Sequence, residues 1–173
     1  ISKSADGIDI DFELLPADQG DNLVLFMQEL SFIFHENMVD PIITMATPAV
    51  DWSNAWDYES LAEITDGLFI MGYNYFYSGS SSAGPVSPLG GYYYDIEYSV
   101  DDYINKTSGQ LDKLILGLPY YGYDWPVVNS IIGASTTGYG TAKTYSEAES
   151  LSQQYEYNWD SSSSSVWIPY QTN

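Results

Sequence analysis

The 173-residue sequence has no cysteine and no arginine, and it holds only four lysines and one histidine. Without cysteine it can build neither a disulfide framework nor a thiolate metal site, and nothing in it reports the redox compartment. Four cations against 24 acidic residues give a net charge of −20. That charge repels nucleic acid phosphates and anionic lipid surfaces alike, so no nucleic acid and no membrane is expected as a partner. No run of 18 apolar residues is present, so no membrane-spanning helix is expected. Ile1 to Ala5 lack the basic and apolar regions of a signal peptide, and there is no initiator methionine, so the start reads as cut from something longer. His35, alone in a helical stretch, reads as a surface or helix-end residue; no metal and no cofactor is expected.

The hydrophobic share, 45%, is that of a globular protein. Aromatics make up 16% of the chain, with seventeen tyrosines and five tryptophans, a content that serves either packing or stacking on flat sugar faces. Gly7 to Phe12 reads as a strand, and Asn22 to Glu36 as an amphipathic helix with Leu23, Phe26, Met27, Leu30 and Phe34 at helical spacing. A buried-type strand follows from Ile42 to Ala46, then a helix from Ala55 to Ile64 and a third strand from Leu68 through Tyr73. After a long loop rich in Ser, Gly, Pro and Tyr, Ser99 to Asn105 is helical and Lys113 to Leu118 is a fourth strand. Such alternation predicts an α/β fold with a parallel sheet covered by helices, either barrel or doubly wound. Beyond Tyr120 the chain turns Gly/Ser/Thr-rich, with a helix expected at Tyr145 to Gln154 and two aromatic runs around the serine tract Ser161 to Ser165. No linker divides the chain, so 1–173 reads as part of one domain.

The stretch Asp6-Gly7-Ile8-Asp9-Ile10-Asp11-Phe12-Glu13 carries the chemistry. In a strand Asp9, Asp11 and Glu13 share one face, and Ile8, Ile10 and Phe12 share the other. Three carboxylates stacked inside a barrel repel one another and lose solvent, so one of them is expected to hold a proton near neutral pH, as a general acid must. Glu13, last in the row, would sit at the C-terminal rim where barrel active sites lie. The bland alternative is a solvated strand edge, or a divalent cation held through oxygen ligands.

Asp6, Asp9, Asp11 and Glu13 fill the DxxDxDxE pattern, and the sequence resembles the family 18 glycoside hydrolases, the chitinases and their relatives. Met71-Gly72-Tyr73-Asn74 is similar to the family's MxYD motif, with Asn74 in place of the aspartate. Lys113 to Tyr123 resembles the seventh-strand segment, and Met45-Ala46 the fifth. The resemblance implies a partial (β/α)8 barrel covering roughly strands four to seven, followed by a loop-rich aromatic segment. Strands one to three and the last strand are not recognised. Half a barrel leaves strand edges unpaired, so the piece alone is expected to be unstable or inactive.

The resemblance also implies hydrolysis of β-1,4 bonds in N-acetylglucosamine polymers of the chitin type, retaining and substrate-assisted. Glu13 would be the general acid and base, Asp11 would orient the acetamido group, Asp9 and Asp6 would support Asp11, and the Tyr73 hydroxyl would meet the acetamido oxygen. Substrate contacts are expected from Asp6, Met71, Asn74, Met45, Tyr120 and Trp125. Trp159, Trp167, Tyr75, Tyr77 and Tyr92 to Tyr94 are further stacking candidates. The expected setting is a secreted protein, monomeric at full length. The alternatives are a chitinase-like lectin without turnover, to which Asn74 points, and an enzyme directed at peptidoglycan or N-glycan cores.

Overall fold

The structure, a computed structural model, describes residues 5–171. Backbone contacts divide the chain into two compact units, Ile1–Met71 with Ser99–Gly117, and Gly72–Tyr98 with Leu118–Asn173.

The first unit is a four-stranded parallel sheet with helices. Strands β1 (Gly7–Asp11), β2 (Ile42–Pro48), β3 (Gly67–Met71) and β4 (Leu114–Gly117) lie side by side in chain order. The connections carry helices α1 (Gly20–Asn37), α2 (Tyr58–Ile64) and α3 (Ile96–Lys106), the last of which begins in the second unit. One face of the sheet packs on the helices. There Ile43, Met45, Leu68 and Ile70 are buried with Leu23 and Met27 of α1, Tyr58, Leu61 and Ala62 of α2, and Tyr103 of α3. Burying such side chains stabilises the fold by about 1.5–3 kcal/mol each. The Ser99 hydroxyl donates to Ala49 O at 2.7 Å and the Tyr103 hydroxyl to Pro48 O at 2.7 Å, tying α3 to the end of β2.

Helices α2 and α3 start away from where the residue pattern places them, each for a local reason. Helix α2 starts at Tyr58 rather than Ala55, because Asp57 caps it, accepting Ser60 N at 3.1 Å and the Ser60 hydroxyl at 2.7 Å. Asp51 holds the amides of Ala55 and Trp56 in the loop before it. Helix α3 starts at Ile96 rather than Ser99, after Asp95, whose carboxylate accepts Tyr98 N at 2.9 Å. β1 and β2 approach closely at Gly7, where a Cβ would stand 1.7 Å from Ile42 O.

In the second unit, β5 (Tyr121–Asp124) pairs antiparallel with β6 (Thr141–Thr144), which runs into helix α4 (Tyr145–Gln154). A capping box joins strand to helix. Thr144 Oγ1 accepts Glu147 N, and Glu147 accepts Thr144 N at 2.8 Å, which holds the Glu147 carboxyl below its ordinary value. β7 (Asn158–Asp160) and β8 (Ser165–Trp167) form a second antiparallel pair around the serine tract. Asp160 fixes that turn by accepting the hydroxyls of Ser162 and Ser163, bonds that also lower its carboxyl. Backbone bonds stitch the loops of this unit together, among them Tyr75 N to Val86 O, Ala83 N to Ala134 O and Leu89 N to Ser163 O. Among the described residues no helix is long and apolar enough to cross a membrane.

Candidate active site

The carboxylates lie on β1 and immediately after it. Ile8 and Ile10 pack against the helix-side core, and the Phe12 ring meets Phe26 of α1 at 5.5 Å between centroids. Strand alternation therefore turns Asp9 and Asp11 to the opposite face. Register agrees: Asp9 pairs with Thr44, and Asp11 with Ala46, which pairs in turn with Phe69 and that with Ile115. Thr44 donates its hydroxyl to Asp9 Oδ1 at 2.5 Å. Glu13 follows two residues beyond the strand end, at the C-terminal edge of the sheet.

Asp6, Asp9, Asp11 and Glu13 are all exposed. The desolvated ladder expected for a general acid is therefore not met among the described residues of this unit, whose core fills only the helix side of the sheet. Met71 ends β3 in register with Pro48 and Gly117, and it is half-buried. Met45, expected at the substrate, faces the other way. It pairs with Ile10 and Leu68, is fully buried and belongs to the helix-side core, because an odd step along β2 reverses the face.

In the second unit the structure gathers Tyr73, Asn74 and Trp125 and adds two residues the sequence reading passed over, Tyr121 and Tyr123. Asn74 sits at φ +62°, a left-handed conformation that asparagine tolerates better than most residues. Its carboxamide oxygen accepts the Tyr121 hydroxyl at 2.8 Å and the Tyr123 hydroxyl at 3.3 Å. Tyr73 meets Tyr121 edge-on at 6.3 Å, Tyr121 meets Tyr123 at 5.8 Å, and Tyr123 meets Trp125 at 5.3 Å. Burial, then the neighbouring Tyr123 and Tyr73, push the Tyr121 phenol up to about 12. Tyr120 is instead 85% exposed and stands outside this row. The signal for the missing pair was the alternation Tyr121-x-Tyr123-x-Trp125, which a strand places on one side.

The chain matches the family described as "Glycosyl hydrolases family 18" over residues 2–173, and it belongs to that family. It is 32% identical over 123 residues to the cortical fragment-lytic enzyme of Bacillus subtilis (strain 168), covering 68% of this chain and 27% of that enzyme. An immunomodulatory active chitinase from Trichuris suis superposes with a TM-score of 0.87 at 24% identity, covering 95% of this chain and 52% of that one. Human YKL-39, described as a pseudo-chitinase with retained chitooligosaccharide binding, superposes with a TM-score of 0.87 at 18% identity, over 96% of this chain and 53% of that one. The two structures show the fold, a partial α/β barrel. This chain spans about half their length, and about a quarter of the length of the curated relative.

Proposed function

We propose that this chain carries the catalytic carboxylates of a hydrolase for β-1,4-linked N-acetylglucosamine polymers, chitin being the type substrate. The observation that carries the reading is the alternation on β1. Ile8, Ile10 and Phe12 go to the helices, which leaves Asp9 and Asp11 on the free face with Glu13 next in line at the C-terminal edge. Glycoside hydrolysis needs a proton donor at the leaving oxygen and a nucleophile at the anomeric carbon. In this reading Glu13 gives its proton to the glycosidic oxygen as that bond breaks, and the substrate's own acetamido oxygen closes on the anomeric carbon as an oxazolinium ion. Water then attacks the same carbon and yields its proton to Glu13, so the configuration is retained and the acid is regenerated.

Asp11 orients the acetamido group, Asp9 and Asp6 support Asp11, and the Tyr73 hydroxyl serves the acetamido oxygen. Met71, Asn74 and Trp125 are proposed to contact sugar. Two substitutes for the type substrate follow from the relatives: peptidoglycan glycan strands, favoured by the likeness to the cortical fragment-lytic enzyme, and binding without turnover, favoured by Asn74 and the likeness to a pseudo-chitinase. Secretion, a monomeric full-length protein and inactivity of the isolated piece belong to the same reading. Hydrolysis of a chromogenic chitobiose or chitotriose glycoside by the complete family domain carrying this chain, beside its Glu13→Gln form, tests it.

A further inference from the structure

Strand β1 ends at Asp11, and its alternation runs one residue further, because Phe12 still lays its ring against Phe26 of α1. Continued, that alternation would send Leu14 to the helices and Leu15 to the free face. The structure has them the other way round. Leu14 is 95% exposed, whereas Leu15 packs against the helix-side core. The reversal falls on one residue: Leu14 sits at φ +54°, in the left-handed region. Leucine is a poor occupant of that region, because its Cβ crowds the following carbonyl oxygen, and an exposed side chain regains nothing by burial. The residues after it cannot make the turn instead. Pro16 has its own φ fixed by its ring and holds Leu15 to extended backbone, and Pro16 O accepts Gln19 N at 3.0 Å as the chain turns into α1.

We propose that Leu14 is a positioning residue for Glu13, and that it acts through its backbone conformation rather than through its side chain. The inference rests on the proposed function, in which Glu13 is the general acid and base. Glu13 stands between an anchored Phe12 and an anchored Leu15, and Leu14 is the one joint that follows it. Were Leu14 to return to an ordinary backbone region, either Leu15 would leave the core or the peptide after Glu13 would rotate. Packing opposes the first, so the second follows, and the Glu13 side chain is redirected with it. Left-handed strain persists where the surrounding structure over-determines it, and here both flanks do so. A proton donor must reach the glycosidic oxygen within hydrogen-bond distance, so a small change of aim is felt in the chemical step.

The test uses the complete family domain and a chromogenic chitobiose glycoside, with kcat, KM and the thermal midpoint read for three variants. Leu14→Ala removes the side chain and keeps the backbone preferences of an unbranched residue. Leu14→Asn tolerates the left-handed region better than leucine does, and Leu14→Ile, branched at Cβ, tolerates it worst. Leu14→Ile is expected to lower kcat by about 10- to 100-fold with KM within about twofold, the scale of a misaimed catalytic group. Leu14→Ala and Leu14→Asn are expected to keep kcat within about threefold of the parent, since both accept the turn. The reverse order, with Ala and Asn impaired and Ile like the parent, would show the side chain at work and overturn the proposal. Equal kcat in all three variants, or an Ile variant whose only change is a lower thermal midpoint, would overturn it as well. Turnover by Glu13→Gln equal to the parent's, or a parent without turnover, would overturn the hydrolase reading and this inference with it.

Discussion

Thr44 on β2 donates its hydroxyl to the Asp9 carboxylate on β1 at 2.5 Å, across a register that pairs the same two residues. A carboxylate on an exposed strand face is thereby held in one orientation by its neighbour, below the position that Asp11 takes one pleat further along.

Removing that donor should therefore disorder the carboxylate row without emptying the core. In the complete family domain, Thr44→Val is expected to lower kcat/KM by about tenfold, the scale of a lost hydrogen bond to a charged group, with little change in unfolding midpoint. Steady-state kinetics beside a thermal melt reads both. Unchanged kinetics would show that Thr44 does not organise Asp9.

Tyr58 is buried in the first unit's core, where its hydroxyl makes no hydrogen bond of good geometry among the described residues; it packs against the Tyr103 ring at 4.2 Å, and burial drives its phenol far above the ordinary value. Tyr58→Phe deletes the unsatisfied oxygen and keeps the ring. It is expected to stabilise the protein by about 1 kcal/mol, read as a higher urea midpoint at unchanged slope.

Gly7→Ala tests the approach of β1 to β2. The new methyl would meet the Ile42 backbone carbonyl, which cannot yield as a side chain end would, so the two strands must part. A loss of about 3 kcal/mol or more is expected in equilibrium unfolding, at the severe end for one added carbon. A mild effect would mean the pairing is looser than its geometry.

Tyr121 and Tyr170 both have phenols pushed up to about 12, each by burial first, with Tyr170 raised further by its bond to Asp124. An unfolded tyrosine ionises near 10, so above that pH the unfolded chain sheds protons that the folded one keeps. The stability these phenols contribute is complete below pH 10 and is lost as pH rises toward 12. Melts across that window should fall, and Tyr121→Phe with Tyr170→Phe should flatten the fall. An equal fall in the double variant would place its origin in other groups.

The sequence made the first unit legible because its signals are local and periodic. The isoleucine and aspartate alternation fixed both faces of β1, and the apolar runs at Ile43 and Leu68 marked the parallel strands, whose helix-side residues are indeed the buried ones. Helix starts were harder, since capping by Asp57 and the loop clasp of Asp51 depend on which side chain reaches which amide. Met45 was misdirected by motif order, because only register shows that it shares a face with Ile10 rather than with Asp11. The pairing of β5 with β6 has no local signal, because 16 intervening residues separate the strands and nothing near Tyr121 announces that it will meet Thr144. The roles of Tyr121 and Tyr123 are not local for the same reason: their partner Asn74 lies 47 and 49 residues away.

Glu13 carries the proposed proton transfer. Release of chromophore from a chitobiose or chitotriose glycoside should be measured for the complete family domain and for its Glu13→Gln form under identical conditions. Turnover by the parent, and a fall of at least about 100-fold in the variant while it still binds oligosaccharide, is the predicted result for a general acid. Equal turnover by both forms, or oligosaccharide binding without turnover by either, would contradict it.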